Sequence, residues 1–386
     1  MPIPKFQNAP GLVLKPRKTG WQATWQARTD IVKRGFTPTT VAICHVGEEP
    51  TDIDRAFIAD RCTGLQGEML LFAHQGKPGP AIYDSTIKSL INCYQTDPDS
   101  PFHKLRFKSR EHYVCLMKRL GEDCGVERIG KIKARTVLRW HEGWVGEKQR
   151  IAMAHGLVGM LRTLLTFGAT ILECPECRAV KTTLHDMRFT MSKPRSSVLD
   201  AKQATMIRAK AHEMGWHSIA LAQAIQFDCM LRQKDVIGEW VPVTEPGVSD
   251  VTRGTDKWLM GIRWSEIDEN LVLRHTTSKR GKPVEIPLAA APMVMEELAR
   301  LPSRPSGGPV IVYEVTGKPY DNHTFRRVWR DVANACGIPK TVKNMDSRAG
   351  AISEATDAGA DLHHVQHAAT HSDIAMTQRY SRHGAE

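Results

Sequence analysis

Three residues near the C-terminal end have the types and spacing for chemistry on a phosphodiester: Arg348, His371 and Tyr380, within NMDSRAGAISEATDAGADLHHVQHAATHSDIAMTQRY (residues 344–380). An arginine fork and an imidazole can hold the non-bridging oxygens of a phosphate while a phenol attacks phosphorus. Their positions constrain the local fold. Nine residues on one unbroken helix turn through about two and a half revolutions, so His371 and Tyr380 would face opposite ways. The helix must therefore break between them. Ser372 and Asp373 are good N-cap types, and IAMTQRY reads as a new short helix. Upstream, the small-residue helix that carries Arg348 stops at Ala358-Gly359.

Other cations precede this stretch. Residues 219–231 form a nearly all-apolar, hence buried, helix that runs into Arg232-Gln233-Lys234-Asp235. An arginine after so apolar a helix needs a partner, because burying it alone is costly. Asp235 is the structural alternative to a reactive role. After a Gly/Asp/Thr-rich loop, short strands are expected over 258–264, 270–275 and 283–288. The Lys279-Arg280-Gly281-Lys282 turn joins the last two, and a hairpin tip there can reach DNA. Helices follow over 292–301 and 322–336, the second basic at Arg326, Arg327 and Arg330.

Composition bounds the rest. With 386 residues the chain is long enough for two or three domains. Hydrophobic content of 41% with 25% charged residues is that of a globular protein, not a disordered one. A net charge of +11 favours a polyanionic partner, nucleic acid first. Nine scattered cysteines suit reduced thiols better than a disulfide framework. Cys174 and Cys177 form a C-x-x-C pair without the further ligands a zinc site needs. The N-terminus lacks an apolar signal core, and no run reads as long enough to span a bilayer, so a cytoplasmic protein with no membrane partner is expected.

The N-terminal 50 residues read as extended, with alternation at 11–14 and 21–28 around a basic turn, and suggest a small β-ribbon. Residues 51–74 read as a helix capped by Thr51 or Asp52, followed by a Gly/Pro linker at 75–80. From 84 to 187 the pattern is helical, with helices at 86–94, 109–124, 131–143 and 148–172. Residues 103–150 hold 13 Lys/Arg against 6 Asp/Glu, so Lys131, Lys133, Arg135 and Arg139 are candidates for lying along DNA phosphates. The polar, basic stretch 188–197 reads as a linker.

The C-terminal stretch resembles the tyrosine recombinases, the phage integrase family. Arg348, then Ala358-Gly359-Ala360-Asp361, then His371-Ser372 and Thr377-Gln378-Arg379-Tyr380 follow the family order without a gap. Leu231-Arg232-Gln233-Lys234-Asp235 resembles the phrase around the family's first catalytic arginine, with Asp235 for the usual glutamate. Lys279 matches the hairpin lysine, with Arg280 for a threonine and Lys282 as the competing lysine. Two departures stand out: Met345 occupies the position of the family's first histidine, and Thr370 replaces the glycine before His371. Lys343 and Asn344 are the neighbours placed to cover for Met345.

The resemblance implies a mostly α protein with small β-sheets (α+β). Its modules would be an N-terminal β-ribbon/helix piece at 1–80 that touches accessory DNA, a helical core-binding domain at 84–187 and a mixed catalytic domain at 198–386. It implies a catalytic set of Arg232, Lys279, Arg348, His371 and the nucleophile Tyr380. DNA-binding cations would be Lys131, Lys133, Arg135, Arg139, Arg326, Arg327 and Arg330. No metal and no nucleotide cofactor are called for. The implied partner is duplex DNA at attachment-type sites, bound by a homo-tetramer with accessory DNA-bending proteins. A DNA-binding protein of the same fold without chemistry, and a tyrosine-type topoisomerase, are the competing readings.

Overall fold

The computed structural model describes residues 4–17, 19–75 and 82–380, leaving the side chains of Gln75, Arg379 and Tyr380 outside the description. Most of the Gly/Pro linker expected at 75–80, and the residues after Tyr380, thus lie outside the described residues. The chain divides into two compact units, Met1–Ser192 and Lys193–Glu386.

Unit 1 begins with a three-stranded antiparallel sheet in the order β1 (Leu12–Arg17), β2 (Gly20–Gln26) and β3 (Thr40–Val46), with the one-turn helix α1 (Thr29–Val32) between the last two. The third strand exceeds the two-stranded ribbon expected from sequence. Helix α2 (Asp52–Gln75) follows. It starts where Thr51 Oγ1 accepts from the amide of Asp54 while Asp54 Oδ2 accepts from the amide of Thr51. That reciprocal pair is a capping box. Ile58, Cys62, Leu65 and Met69 recur at helical spacing on α2 and share a buried cluster with Trp21 and Trp25.

The helical part of unit 1 comprises α3 (Ile87–Thr96), α4 (Phe107–Cys124), α5 (Ala134–Val145), α6 (Ile151–Thr170) and α7 (Pro175–Asp186). Its core gathers Leu90, Tyr94, Leu120, Leu161, Leu164 and Leu184 among others. Against the sequence-based expectation, α6 is long and apolar enough to cross a bilayer by length and composition. It is a core helix here, with ten of its residues buried. Cys174 caps α7 by accepting from the amide of Cys177, and the Tyr83 hydroxyl lies 3.3 Å from the Cys174 sulfur. Among the described residues, no group of three or more His, Cys, Asp or Glu is placed to hold a metal ion.

Unit 2 contains α8 (Ala201–Glu213), α9 (His217–Asp228), α10 (Gln233–Ile237), β4 (Glu239–Pro242), β5 (Thr252–Arg253), β6 (Asp256–Leu259), β7 (Val272–Thr276) and β8 (Pro283–Pro287). After these come α11 (Pro292–Ala299), α12 (Asn322–Ala335), α13 (Asp346–Asp357), α14 (Leu362–Ala368) and α15 (Ile374–Tyr380). Strands pair antiparallel as β4-β6-β5 and as the β7-β8 hairpin. The strand expected over 258–264 ends at Leu259, because Met260 takes a left-handed backbone (φ 68°) that turns the chain out of the sheet. Strand β4 was hidden inside the phrase that follows Arg232.

Helix α9 is the centre of this unit. Every residue from Ile219 to Phe227 is buried, and each large apolar side chain among them contributes roughly 1.5–3 kcal/mol. Two buried glutamines on it meet polar partners. Gln223 Nε2 donates to Ser347 Oγ at 3.0 Å, and Gln226 exchanges hydrogen bonds with Asn344 at 2.9 and 3.0 Å. These bonds set the register of α13, which bears Arg348, against α9. The N-terminal end of α13 is held from another side: Arg195 makes a bidentate pair with the buried carboxylate of Asp346. Arg195 belongs to the 188–197 stretch, which has no regular structure and contains the boundary between the units.

Candidate active site

Four chain segments of unit 2 carry the candidate residues. The first is the turn after α9. Cys229 ends the helix, Met230 adopts a left-handed backbone (φ 50°), and the chain then presents Arg232 at the start of α10. The second is α13, in which Arg348 is only 5% exposed. Its Nη1 donates to the carbonyl of Met230 at 2.5 Å, and its Nη2 donates to the carbonyl of Ala369. Arg348 therefore ties the segment bearing Arg232 to the segment bearing His371.

The third segment runs from α14 to α15. Asp361 caps α14 through the amides of His363 and His364. The helix closes at Ala369, Thr370 takes a left-handed backbone (φ 55°), and His371 follows. Asp373 Oδ1 then accepts from the amide of Ala375, so a new helix starts between His371 and Tyr380, as the nine-residue spacing requires. Tyr380 closes α15, and its side chain is not among those described.

His371 is 4% exposed, and its Nδ1 lies 3.0 Å from Thr377 Oγ1. Burial pushes its pKa down to about 4, and the charges of Arg348, Arg232 and Arg280 push the same way. The imidazole is thus neutral near pH 7. A bound phosphate would offset the arginine charges and raise that pKa again. Thr370, whose hydroxyl is 3.5 Å from Arg232 Nη1, supplies the link from this loop to the first arginine.

The fourth segment is the β7–β8 hairpin. Its turn is closed by Thr277 N to Lys282 O at 2.9 Å and Gly281 N to Thr277 O at 2.9 Å. Asp235, fully buried, accepts from the amide of Ser278 at 2.6 Å and lies 3.8 Å from the Arg232 guanidinium. Lys279 and Arg280 are exposed in the turn. A cavity of about 460 Å³ opens between the hairpin and the end of α14, lined by Lys282, His275, Thr370 and His371 among others. Lys282, the competing lysine, thus lines the cavity beside His371, and Lys279 does not.

Met345, at the position of the family's first histidine, is 60% exposed. Asn344 does not replace it, since its amide is committed to Gln226. Among the candidate DNA-contacting cations, Lys131, Lys133, Arg135 and Arg139 are exposed around the start of α5, and Arg326 and Arg327 are exposed on α12. Arg330 is used within the fold. It lies over the Trp329 ring and donates to the carbonyls of Pro339 and Val342. Sequence reasoning missed Thr370, Thr377 and Arg280 as neighbours of the arginines and the histidine. A weak signal existed for two of them, since Thr377 belongs to the matched motif and Thr370 departs from it.

Two arginines and a neutral histidine lie beside a basic hairpin and ahead of a tyrosine-bearing helix, an arrangement of donors suited to the oxygens of a phosphate. Residues 257–386 match the Phage integrase family. Among solved structures, a lambda integrase dimer bound to a COC′ core site is similar at a TM-score of 0.59 and 16% identity, with 100% of this chain and 98% of that chain covered. A lambda integrase tetramer bound to a Holliday junction is similar at a TM-score of 0.59 and 16% identity, over 99% and 98% of the two chains. The Tn1549 transposon integrase in complex with circular intermediate DNA is similar at 0.56 and 14%, over 78% and 97%. No curated protein matches the chain in sequence. Residues 257–386 are thus similar in sequence to the phage integrase family, and the solved integrases share the fold of the chain.

Proposed function

We propose that the protein is a site-specific DNA recombinase that cleaves and rejoins strands through a 3′-phosphotyrosine, integrating or excising a mobile element. The observation that carries this reading is the bridge made by Arg348 between the carbonyls of Met230 and Ala369, which draws Arg232 and His371 to one place. Arg232 and Arg348 are forks suited to two oxygens of a pentacoordinate phosphorus, and His371 donates to the same group. Tyr380 Oη attacks phosphorus and its proton leaves to water. The bond from phosphorus to the 5′-oxygen breaks, and Lys279 protonates the leaving oxygen as general acid. A 5′-hydroxyl of another strand reverses the step, so the bond energy is kept.

In this reading, residues 84–187 hold duplex DNA through the exposed cations of α5. Residues 198–386 carry the chemistry, and residues 1–80 touch accessory DNA. Assembly as a tetramer on paired attachment sites, inside the cell and with DNA-bending partners, belongs to the same proposal.

The test is a nicked suicide substrate. Wild type should form a protein–DNA adduct that survives denaturant and excess chelator. Tyr380→Phe should bind DNA and form none, and Arg348→Ala should lose the adduct as well. A bridging 5′-thiolate needs no proton, so it should rescue Lys279→Ala; rescue of Lys282→Ala instead would move the acid to the cavity lysine. An adduct from Tyr380→Phe, or its loss with chelator in wild type, sinks the mechanism.

A further inference from the structure

The helical part of unit 1 holds a second basic cluster, which includes none of the cations singled out around α5. A cavity of about 360 Å³ lies between α6 and the end of α7. It is lined by Arg162, Thr166, Lys181, His185 and Arg188. Pockets for organic ligands are built mainly from apolar and aromatic side chains around a few polar groups. Here much of the wall is the hydrocarbon stems of these long side chains, but their polar ends are two guanidinium groups, an ammonium, an imidazole and a hydroxyl with no carboxylate among them, a donor set that fits a compact anion.

The site is also preorganised. Arg162 Nη2 donates to the carbonyls of Leu184 and Met187 at 2.9 and 3.1 Å, and its guanidinium carbon lies 5.7 Å from the centre of the Phe189 ring. Its Nε is buried without a partner among the described residues. Carbonyls orient that charge and do not neutralise it. Lys181 and His185 are four residues apart on α7 and so share a face. Arg188 Nη1 donates to the carbonyl of His185 at 2.9 Å, which folds the chain after α7 back over the helix end. The nearby acid is Asp186, 3.2 Å from His185 Nδ1, and it does not line the cavity. Like charges gathered this way repel one another until an anion enters.

We infer that this cavity is a phosphate-binding site. Tetrahedral oxygens suit a ring of guanidinium, ammonium and hydroxyl donors. The phosphate can come from the backbone of duplex DNA or from free phosphate; the DNA source rests on the recombinase reading, whereas the site itself does not.

The experiment uses the full chain with Lys181→Ala/Arg188→Ala, both exposed positions. A matched control, Lys108→Ala/Lys118→Ala, removes the same charge from α4. The plot of log binding constant against log salt for duplex DNA should become shallower by about 0.9 in the cavity variant, for the one phosphate it holds, and by clearly less in the control. That outcome assigns the site to the DNA backbone. If the slopes of variant and control agree, but millimolar inorganic phosphate shifts the His185 ring signals of wild type and not of the variant, the site takes free phosphate. Matching slopes with no phosphate-induced shift overturn the inference. A wild type whose DNA affinity ignores salt would defeat the recombinase reading alone, because the phosphate titration still decides the cavity.

Discussion

The carboxylate of Asp235 accepts from the amide of Ser278 at 2.6 Å, across 43 residues of chain. Its other oxygen accepts from the amide of Arg232 at 3.4 Å and lies 3.8 Å from that residue's guanidinium. One fully buried acid thus joins the start of α10, with Arg232, to the hairpin turn, with Lys279 and Arg280.

Asp235→Ala should therefore separate binding from chemistry. Two amides lose their acceptor, which costs about 1–3 kcal/mol of stability for each one left buried. The rate of adduct formation should fall much further than affinity for duplex DNA, because phosphate contacts elsewhere persist. Parallel measurements of DNA affinity and single-turnover cleavage check this. Equal losses in both would mean that Asp235 only supports the fold.

Thr370 sits at φ 55°, a backbone region that a β-branched residue adopts at a cost of about 1–3 kcal/mol. Thr370→Gly removes that strain, partly offset by the greater freedom of glycine in the unfolded chain. It also removes the hydroxyl 3.5 Å from Arg232. The melting temperature should hold or rise while cleavage slows about fivefold, for a contact worth about 1 kcal/mol. A variant that melts earlier and cleaves normally would contradict both halves.

The His371 pKa is lowered from 6.5 to about 4, so between those pH values the unfolded chain binds a proton that the folded chain refuses. Stability from this group is complete above pH 6.5 and is lost as pH falls toward 4, by at most about 3 kcal/mol. Denaturant titrations of wild type and His371→Gln at several pH values should converge on acidification. Parallel curves would show that the histidine is not held neutral.

A Cβ placed on Gly350 would lie 1.8 Å from the carbonyl oxygen of Leu199, where the chain entering unit 2 crosses α13. Gly350→Ala should cost about 3 kcal/mol or more, at the upper end of overpacking effects, and should disturb Arg348 two residues away. Gly359 has open space around it and only a left-handed backbone (φ 82°), so Gly359→Ala should cost about 1–2 kcal/mol. Chemical denaturation of the two variants gives the ranking, and a milder Gly350→Ala would refute the crossing.

Residues 344–380 were legible because their structure is local. The stop at Gly359, the cap at Asp361 and the restart at Asp373 each depend on groups within a few residues. Side-chain caps and left-handed glycines act over one helical turn, so they are written in adjacent letters. The burial of α9 was equally readable from its nearly all-apolar run.

What only tertiary structure decided involves partners far apart in the chain. Arg348 meets Met230 across 118 residues, and Arg232 meets Thr370 across 138. No periodicity reports such pairs. The same holds for β4, whose ladder partner β6 lies beyond a loop, and for Arg330, which reads as a DNA contact until the carbonyls of Pro339 and Val342 appear beside it. The hairpin lysines show the limit most plainly: Lys279 and Lys282 are three letters apart, and only the twist of the turn determines that Lys282 faces the cavity of His371. Sequence determined which groups this chain has for chemistry, and long-range packing determined which of them share a space.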